Sequence, residues 1–420
     1  MRATLQWIVC LMFAACPLLA QSKHLWVLRS SGEMVEYDPA TFAAKEMVKV
    51  PAEALKNPAA ISINRLGQIL FAPAIGLPLS DEDAKSAHKI WLWDGHAATT
   101  IDQGVEHKLG ARGSNQEISE SVPVAILSAD GNHLFWFANE SRRLQREGVD
   151  LSIVTTWQAW QTDTNGQNRQ DLVSVQMPDC RCTTGSCEES CPTAATWIPA
   201  GGLEKFFLMT QSVAGQTQTE YKSTTLYQES AGKWTPSPMP EALQRLLDAS
   251  PDGSTIVEAI PDTGCCGWSN QSDDQTLVIA IGKPRKVFDE LENYNNPDYD
   301  VSFFTSNAAL SPDLKSVAAT ISGTADANHP IQLAEEGQAN PEESQRIHKA
   351  LGQLPAVEVK SLDDPPKRQV FLPHASLIGW LSEKEMLIVE DHLLATYNLT
   401  TGTRRKSNIK VEDAARVFLR

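Results

Sequence analysis

The chain has 420 residues, 42% of them hydrophobic and 21% charged, with 36 Lys and Arg against 52 Asp and Glu. The resulting net charge of −16 disfavours nucleic acid and anionic membrane, whose affinity comes from clustered Lys and Arg. It favours cations, basic partners or simply solubility.

Residues 1–20 read as a secretory leader. Arg2 is a minimal positive region, residues 5–19 are apolar, and Leu18-Leu19-Ala20 precedes Gln21 as a small-residue cleavage site. Two alternatives stand beside this: a retained anchor helix, and a lipoprotein signal in which Phe13-Ala14-Ala15 precedes Cys16. Cleavage removes Arg2 alone among the charges, so the mature chain is more acidic still. No later run has the length of apolar sequence that a membrane span needs. A periplasmic or secreted, monomeric protein is expected.

The mature region, 21–420, repeats a strand-turn-strand phrase. It reads LSADGNHLFWFA from Leu127, ASPDGSTIVEAI from Ala249 and LSPDLKSVAATI from Leu310, with weaker copies at Ser62 and Gly379. In the turn, Asp bonds the local backbone and Gly takes positive φ without steric cost. A third apolar strand and a more polar fourth complete each unit. First strands are expected near Ala59, Val122, Thr193, Arg245, Phe303 and His374. The N-terminal LWVLRSSGEMVEYDPATFAAKEMVKV supplies three strands and lacks the first, while ARVFLR at 415–420 is an orphan apolar strand. Joining the two removes free sheet edges. The expected fold is all-β: one seven-bladed β-propeller domain closed by its N- and C-terminal strands, with loop insertions on one face.

The Ser-Pro-Asp-Gly turns, with the hairpin WQTDTNGQNRQDL at 160–172, resemble the TolB-type, WD40-like propeller repeats. VEYDPAT at 35–41 is similar to blades of other extracytoplasmic propellers. The resemblance implies architecture and leaves activity open, because such propellers serve as scaffolds, binding modules and enzyme domains. Departures from the pattern are Leu314 where Gly is expected, Ala200-Gly201-Gly202, and Arg65-Leu66-Gly67.

Long connections between second and third strands are expected at 75–87, 140–152, 261–274 and 324–354. Together with the blade-to-blade loops they would share one working face. The last carries a helix signal: Asn340 as cap, Pro341 at the first position, Glu343 completing a capping box, and Ile347, Ala350, Leu351 and Leu354 on one stripe.

Six cysteines follow the leader: Cys180, Cys182, Cys187 and Cys191 in one cluster, expected in the loop between the third and fourth blades, and adjacent Cys265 and Cys266 in a loop of the fifth. An even number in a secreted context favours disulfides, with the pairing open. Zinc or iron–sulfur ligation is the competing reading, but the C-x-C-x4-C-x3-C spacing matches neither usual pattern. Trp268 sits on a loop where an aromatic stacks on sugar or peptide. Asp273 and Asp274, and Asp298 and Asp300 beside Asn295 and Asn296, are the acidic candidates; the second pair could contribute to a calcium site, although a solvated loop is the plainer reading. Asp163 and Asn165 fit a hairpin turn better than a metal site. No catalytic residues, resident cofactor or metal are assigned, since no G-x-S-x-G, H-E-x-x-H or phosphate-binding motif occurs. The expected function is a binding module for a protein, peptide or glycan on the loop-rich face. The alternative is a lyase or hydrolase with an acidic or metal-assisted site at the channel mouth.

Overall fold

Short apolar runs punctuated by Asp, Asn and Gly form antiparallel hairpins throughout this chain. The structure, a computed structural model, describes residues 23–52, 60–64, 66–72, 89–102, 116–120, 124–128, 130–146, 149–176, 180–183, 186–187, 191–200, 205–214, 218–230, 233–238, 245–250, 254–260, 275–280, 286–287, 302–324, 335–337, 340–363, 365–411 and 417–419.

The first sheet holds β1 (Leu25–Leu28), β2 (Glu33–Tyr37) and β3 (Ala44–Lys49). The second holds β4 (Ala60–Ile63), β5 (Ile69–Ala72), β6 (Lys89–Trp93) and β7 (Ala98–Asp102). The third is larger: β8 (Gln116–Glu120), β9 (Val124–Leu127), β10 (His133–Arg146), β11 (Val149–Asp163), β12 (Gln170–Gln176), β13 (Cys180–Thr183) and β14 (Ser186–Cys187). The fourth holds β15 (Cys191–Ala200), β16 (Lys205–Ala214), β17 (Gln218–Ser230) and β18 (Lys233–Pro238). The fifth holds β19 (Arg245–Ala249), β20 (Thr255–Ile260), β21 (Gln275–Ala280) and β22 (Lys286–Val287).

In the sixth sheet β23 (Ser302–Leu310) and β24 (Ser316–Thr324) are separated from β25 (Ala356–Ser361) and β26 (Arg368–Pro373) by helix α1 (Pro341–Leu351). The seventh holds β27 (Ala375–Ser382), β28 (Glu385–Glu390), β29 (Leu393–Asn398) and β30 (Arg404–Lys410). The last strand, β31 (Val417–Leu419), joins the first sheet, pairing antiparallel with β1 in the register Leu25↔Leu419, Trp26↔Phe418 and Val27↔Val417. Among the described residues, six sheets are therefore four-stranded and one is seven-stranded. The first strands begin within about two residues of the positions expected from turn chemistry.

Neighbouring sheets meet through apolar faces. Trp26, Leu28 and Met34 pack on Ile69, Phe71 and Trp93, joining first and second sheets. Trp26 meets Trp93 edge-on, with centroids 5.3 Å apart. Leu70 and Ile90 pack on Leu134, Trp136 and Trp160, joining second and third. Val257 packs with Ala308 and Val317 across fifth and sixth, and Val357 and Val359 with Leu377 and Met386 across sixth and seventh. Leu387 and Leu394 of the seventh sheet pack on Leu25, Val27 and Val35 of the first, with Val417 between them. Strand β12 of the third sheet touches β18 of the fourth, and β15 touches β19 of the fifth. Inner strands are buried end to end, as in β1, whereas outer strands such as β3 and β30 are mostly exposed.

One turn design recurs. Ser128, Ser250 and Ser311 each accept, at the hydroxyl, the N–H five residues on, from His133, Thr255 and Ser316 at 3.0, 2.9 and 2.9 Å. Ser128 and Ser311 donate in turn to Asp130 and Asp313. Leu314 takes the positive φ, +56°, that glycine supplies at Gly131 (+73°) and Gly67 (+77°). The Asp163 turn is a hairpin turn, its Oδ1 accepting from Asn165 and Gln167 N–H.

Two expectations fail. Residues 140–152 do not form a long loop. β10 and β11 stay paired to Arg146↔Val149, with one register shift after Leu144↔Ser152, and β8 pairs with the far half of β10. The charged stretch ESRRLQR hides strand character that Val149, Ile153 and Val154 provide on the partner strand, and the register sets Arg143 opposite Glu117. The cysteine cluster, expected in a blade-to-blade loop, lies on strands β13, β14 and the start of β15. Pairing of β13 with the far half of β11 supplies partners for its backbone groups.

Candidate functional site

The seam between the seventh and first sheets contains a cleft of about 810 Å³. One wall is the backbone and side chains of residues 405–411, on and just after β30. The other is the β1–β2 turn, Arg29-Ser30-Ser31, with Tyr37 and the Thr41-Phe42 corner, over a floor of Val27 and Leu28. The pairing of β31 with β1 and the packing of Leu387 and Leu394 on Val27 and Val35 hold these walls together.

Each wall is fixed by local chemistry. Gly32, at φ +81°, closes the first turn with its N–H on the Arg29 carbonyl at 3.0 Å. The Arg29 guanidinium donates to the Tyr37 hydroxyl at 2.6 Å. Asp38 organises the second corner. Its Oδ1 accepts the N–H of Ala40 and of Thr41 and the Thr41 hydroxyl at 2.9, 2.8 and 3.1 Å. The Thr41 N–H, more than any other contact, holds the Asp38 carboxyl below its ordinary value. Phe42 is thereby locked at φ +59°, and the Arg405 guanidinium lies 4.9 Å from its ring centroid while donating to the Pro39 carbonyl at 3.2 Å.

The cations of the cleft differ in their partners. Lys406 is committed: Asp391 lies at 2.7 Å and Glu390 at 3.1 Å, and the Asp391 bond raises its pKa. Arg29, Arg405 and Lys410 are exposed and have no carboxylate partner among the described residues. Among the described residues, the cleft's lining includes no carboxylate, histidine or cysteine. What it offers a ligand is guanidinium and ammonium donors, the Ser30 hydroxyl, and apolar surface from Phe42 and Ile409, while the Ser31 and Thr41 hydroxyls donate to Glu33 and Asp38. Guanidinium and ammonium donors are complementary to anionic groups.

The residues singled out from sequence lie elsewhere. Trp268, Asp273, Asp274, Asp298, Asp300, Cys265 and Cys266 fall outside the described residues. Cys180 and Cys182 lie on β13, Cys187 on β14 and Cys191 on β15, and the register sets Cys182 directly opposite Cys187. Among the described residues, no group of three or more His, Cys, Asp or Glu is placed to hold a metal ion. Nor is any helix there long and apolar enough to cross a membrane. The cleft cations were overlooked in sequence, although RRKSNIK at 404–410 is a basic run in an acidic chain.

No protein-family model matches the chain, and no curated protein is similar to it in sequence. Solved structures similar to it include dipeptidyl peptidase 4 of Porphyromonas gingivalis, at 7% identity and TM-score 0.44, covering 94% of this chain and 59% of that one. Apo AztD of Citrobacter koseri is similar at 10% identity and TM-score 0.36, covering 93% and 81%. TolB of Acinetobacter baumannii is similar at 12% identity and TM-score 0.27, covering 92% and 68%. The chain thus spans less than two thirds of the peptidase. Superpositions this loose carry no argument about activity.

Proposed function

We propose that this chain is an extracytoplasmic, closed seven-bladed β-propeller that works as a binding module for an anionic partner. The observation that carries the binding reading is the seam cleft, where Arg29, Arg405 and Lys410 lack carboxylate partners among the described residues of a chain with net charge −16. In an acidic protein, cations left together without counter-charges are a local reversal of the surface field, and they select ligands of opposite sign. Sheet-to-sheet packing that runs from first to seventh and back to the first supports the ring. The apolar leader and the even set of later cysteines support export.

The test is equilibrium binding of the mature chain to a panel of polyanions: poly-glutamate, heparin and inorganic polyphosphate. At least one should bind, weaken with salt, and bind about tenfold more weakly to an Arg29→Gln/Arg405→Gln/Lys410→Gln variant with unchanged melting. No binding across the panel, or equal binding to the variant, would contradict the proposal.

A further inference from the structure

Resting on the anion-binding reading of the cleft, we infer that its occupant is an extended acidic segment of another polypeptide, added as a strand along the outer edge of β30. Strand β30 is last in its sheet, and no strand pairs with its outer edge among the described residues. The wall it forms is a run of consecutive residues, 405–411, in which the Ile409 N–H already donates to the Ser407 hydroxyl at 3.0 Å. Such an edge is a template for strand addition, in which the main chain supplies affinity and alternate side chains supply specificity.

Cation spacing favours an extended ligand over a compact anion. Arg405 and Lys410 lie opposite Thr396 and Leu393 of β29, so across a register shift they stand about 10 Å apart along the strand at about 3.3 Å per residue. An inorganic phosphate spans a fraction of that distance. An extended acidic chain is long enough to meet both cations, which the register sets on opposite faces of the sheet. Between the cations, Ile409 and the Val27–Leu28 floor receive apolar residues. A sequence alternating acidic and apolar side chains fits this lining.

Charged residues on an edge strand often serve only to keep other edges away. Two observations go beyond that role. Two cations on other outer strands are neutralised, Arg368 of β26 by Glu358 and Lys45 of β3 by Asp38 at 3.6 Å, whereas Lys49 of β3 has no ion pair among the described residues. Arg405 and Lys410 of β30 are not paired in this way among the described residues. Arg29, moreover, comes from a turn of the facing sheet, where edge protection has no use for it. The chain's own leader is a poor occupant, since residues 1–22 contain no Asp or Glu.

The experiment uses the mature protein and a fluorescein-labelled peptide of alternating Glu and Val, read by anisotropy. A second peptide of the same sequence carries N-methyl groups on alternate residues, which keeps its charge and removes its strand-pairing N–H groups. The first peptide should bind, lose about tenfold in affinity to the Arg29→Gln/Arg405→Gln/Lys410→Gln variant, and slow amide exchange within 404–411. The N-methylated peptide should bind about tenfold more weakly than the first. Equal binding of the two peptides would overturn strand addition. So would heparin or polyphosphate binding at the cleft while the Glu–Val peptide does not, although anion binding itself would then stand. If no anion binds, both readings fail. Concentration-dependent dimerisation abolished by the triple variant would overturn the partner assignment in favour of a second copy of this chain.

Discussion

The side-chain amide of Asn64 donates to the Ser128 carbonyl at 3.2 Å, tying the first turn of the second sheet to the first turn of the third. The same nitrogen donates to Gln68 Oε1 at 2.7 Å, and Asn64 Oδ1 accepts the N–H of Leu66 and of Gln68 at 3.0 Å each. Gly131 closes against this pair. A Cβ there would lie 2.0 Å from Gln68 Oε1 and 3.2 Å from Asn64 Nδ2, at a φ of +73°. Gly131→Ala is therefore expected to destabilise by about 2 kcal/mol, from strain and the displaced amide together. Chemical denaturation of Gly131→Ala, Asn64→Ala and the double variant checks this. The double variant should lose less than the sum, because removing Asn64 frees Gln68 to move.

Trp136 and Thr162 are both buried, and the indole Nε1 donates to the threonine hydroxyl at 2.8 Å. Thr162→Val preserves shape and leaves the indole N–H without this acceptor. A loss of about 1–3 kcal/mol is expected. Thr162→Ser should lose less, and that ordering in denaturant midpoints is the check.

Turn aspartates make stability fall in acid. Asp38, Asp94 and Asp163 are held below the ordinary carboxyl value chiefly by turn N–H groups, from Thr41, Ala97 and Gln167 respectively. Burial pushes Asp130 and Asp313 up, but Ser128 and Ser311 with neighbouring donors outweigh it, and both also end low. A depressed folded pKa means that the unfolded chain binds protons first as pH falls. The contribution is complete above the ordinary Asp value of about 3.9 and is lost as pH drops through the lower folded values. Denaturation midpoints should thus be flat near neutrality and decline below about pH 4. In Asp38→Asn/Asp163→Asn the acid-side decline should be shallower.

Cys182 and Cys187 occupy directly opposed positions of β13 and β14. Opposed residues of an antiparallel pair have Cα atoms about 4.5–5.5 Å apart, within the range a disulfide spans. Non-reducing peptide mapping of the exported protein should recover a Cys182–Cys187 link. Free thiols at both positions, or Cys182 bonded elsewhere, would contradict this pairing.

The turn chemistry was legible in sequence. Asp, Asn, Ser and Gly at fixed offsets mark where each first strand ends, and the hairpins at Ser128, Asp163 and Ser311 follow from them. The α1 cap was legible too: Asn340 Oδ1 accepts the Glu342 N–H at 2.9 Å, and Ile347 of the expected stripe is buried. The β10–β11 extension was hidden because its strand character depends on pairing with β8 and β13, while ESRRLQR alone reads as a solvated loop. The cleft was hidden for a different reason. Arg29 and residues 405–411 come from opposite ends of the chain, and they meet only because the first and seventh sheets pack together.

The cleft and the proposed ring both depend on β31 joining β1, so amide hydrogen exchange across that seam tests the account most directly. In the mature protein, amides of 417–419 should exchange as slowly as those of 25–28. In Val417→Asp, which places a charge among Leu25, Val27 and Leu387, both segments should lose protection together. Exchange of 417–419 at the rate of an unstructured tail, with 25–28 still protected and unaffected by Val417→Asp, would contradict the closed seam.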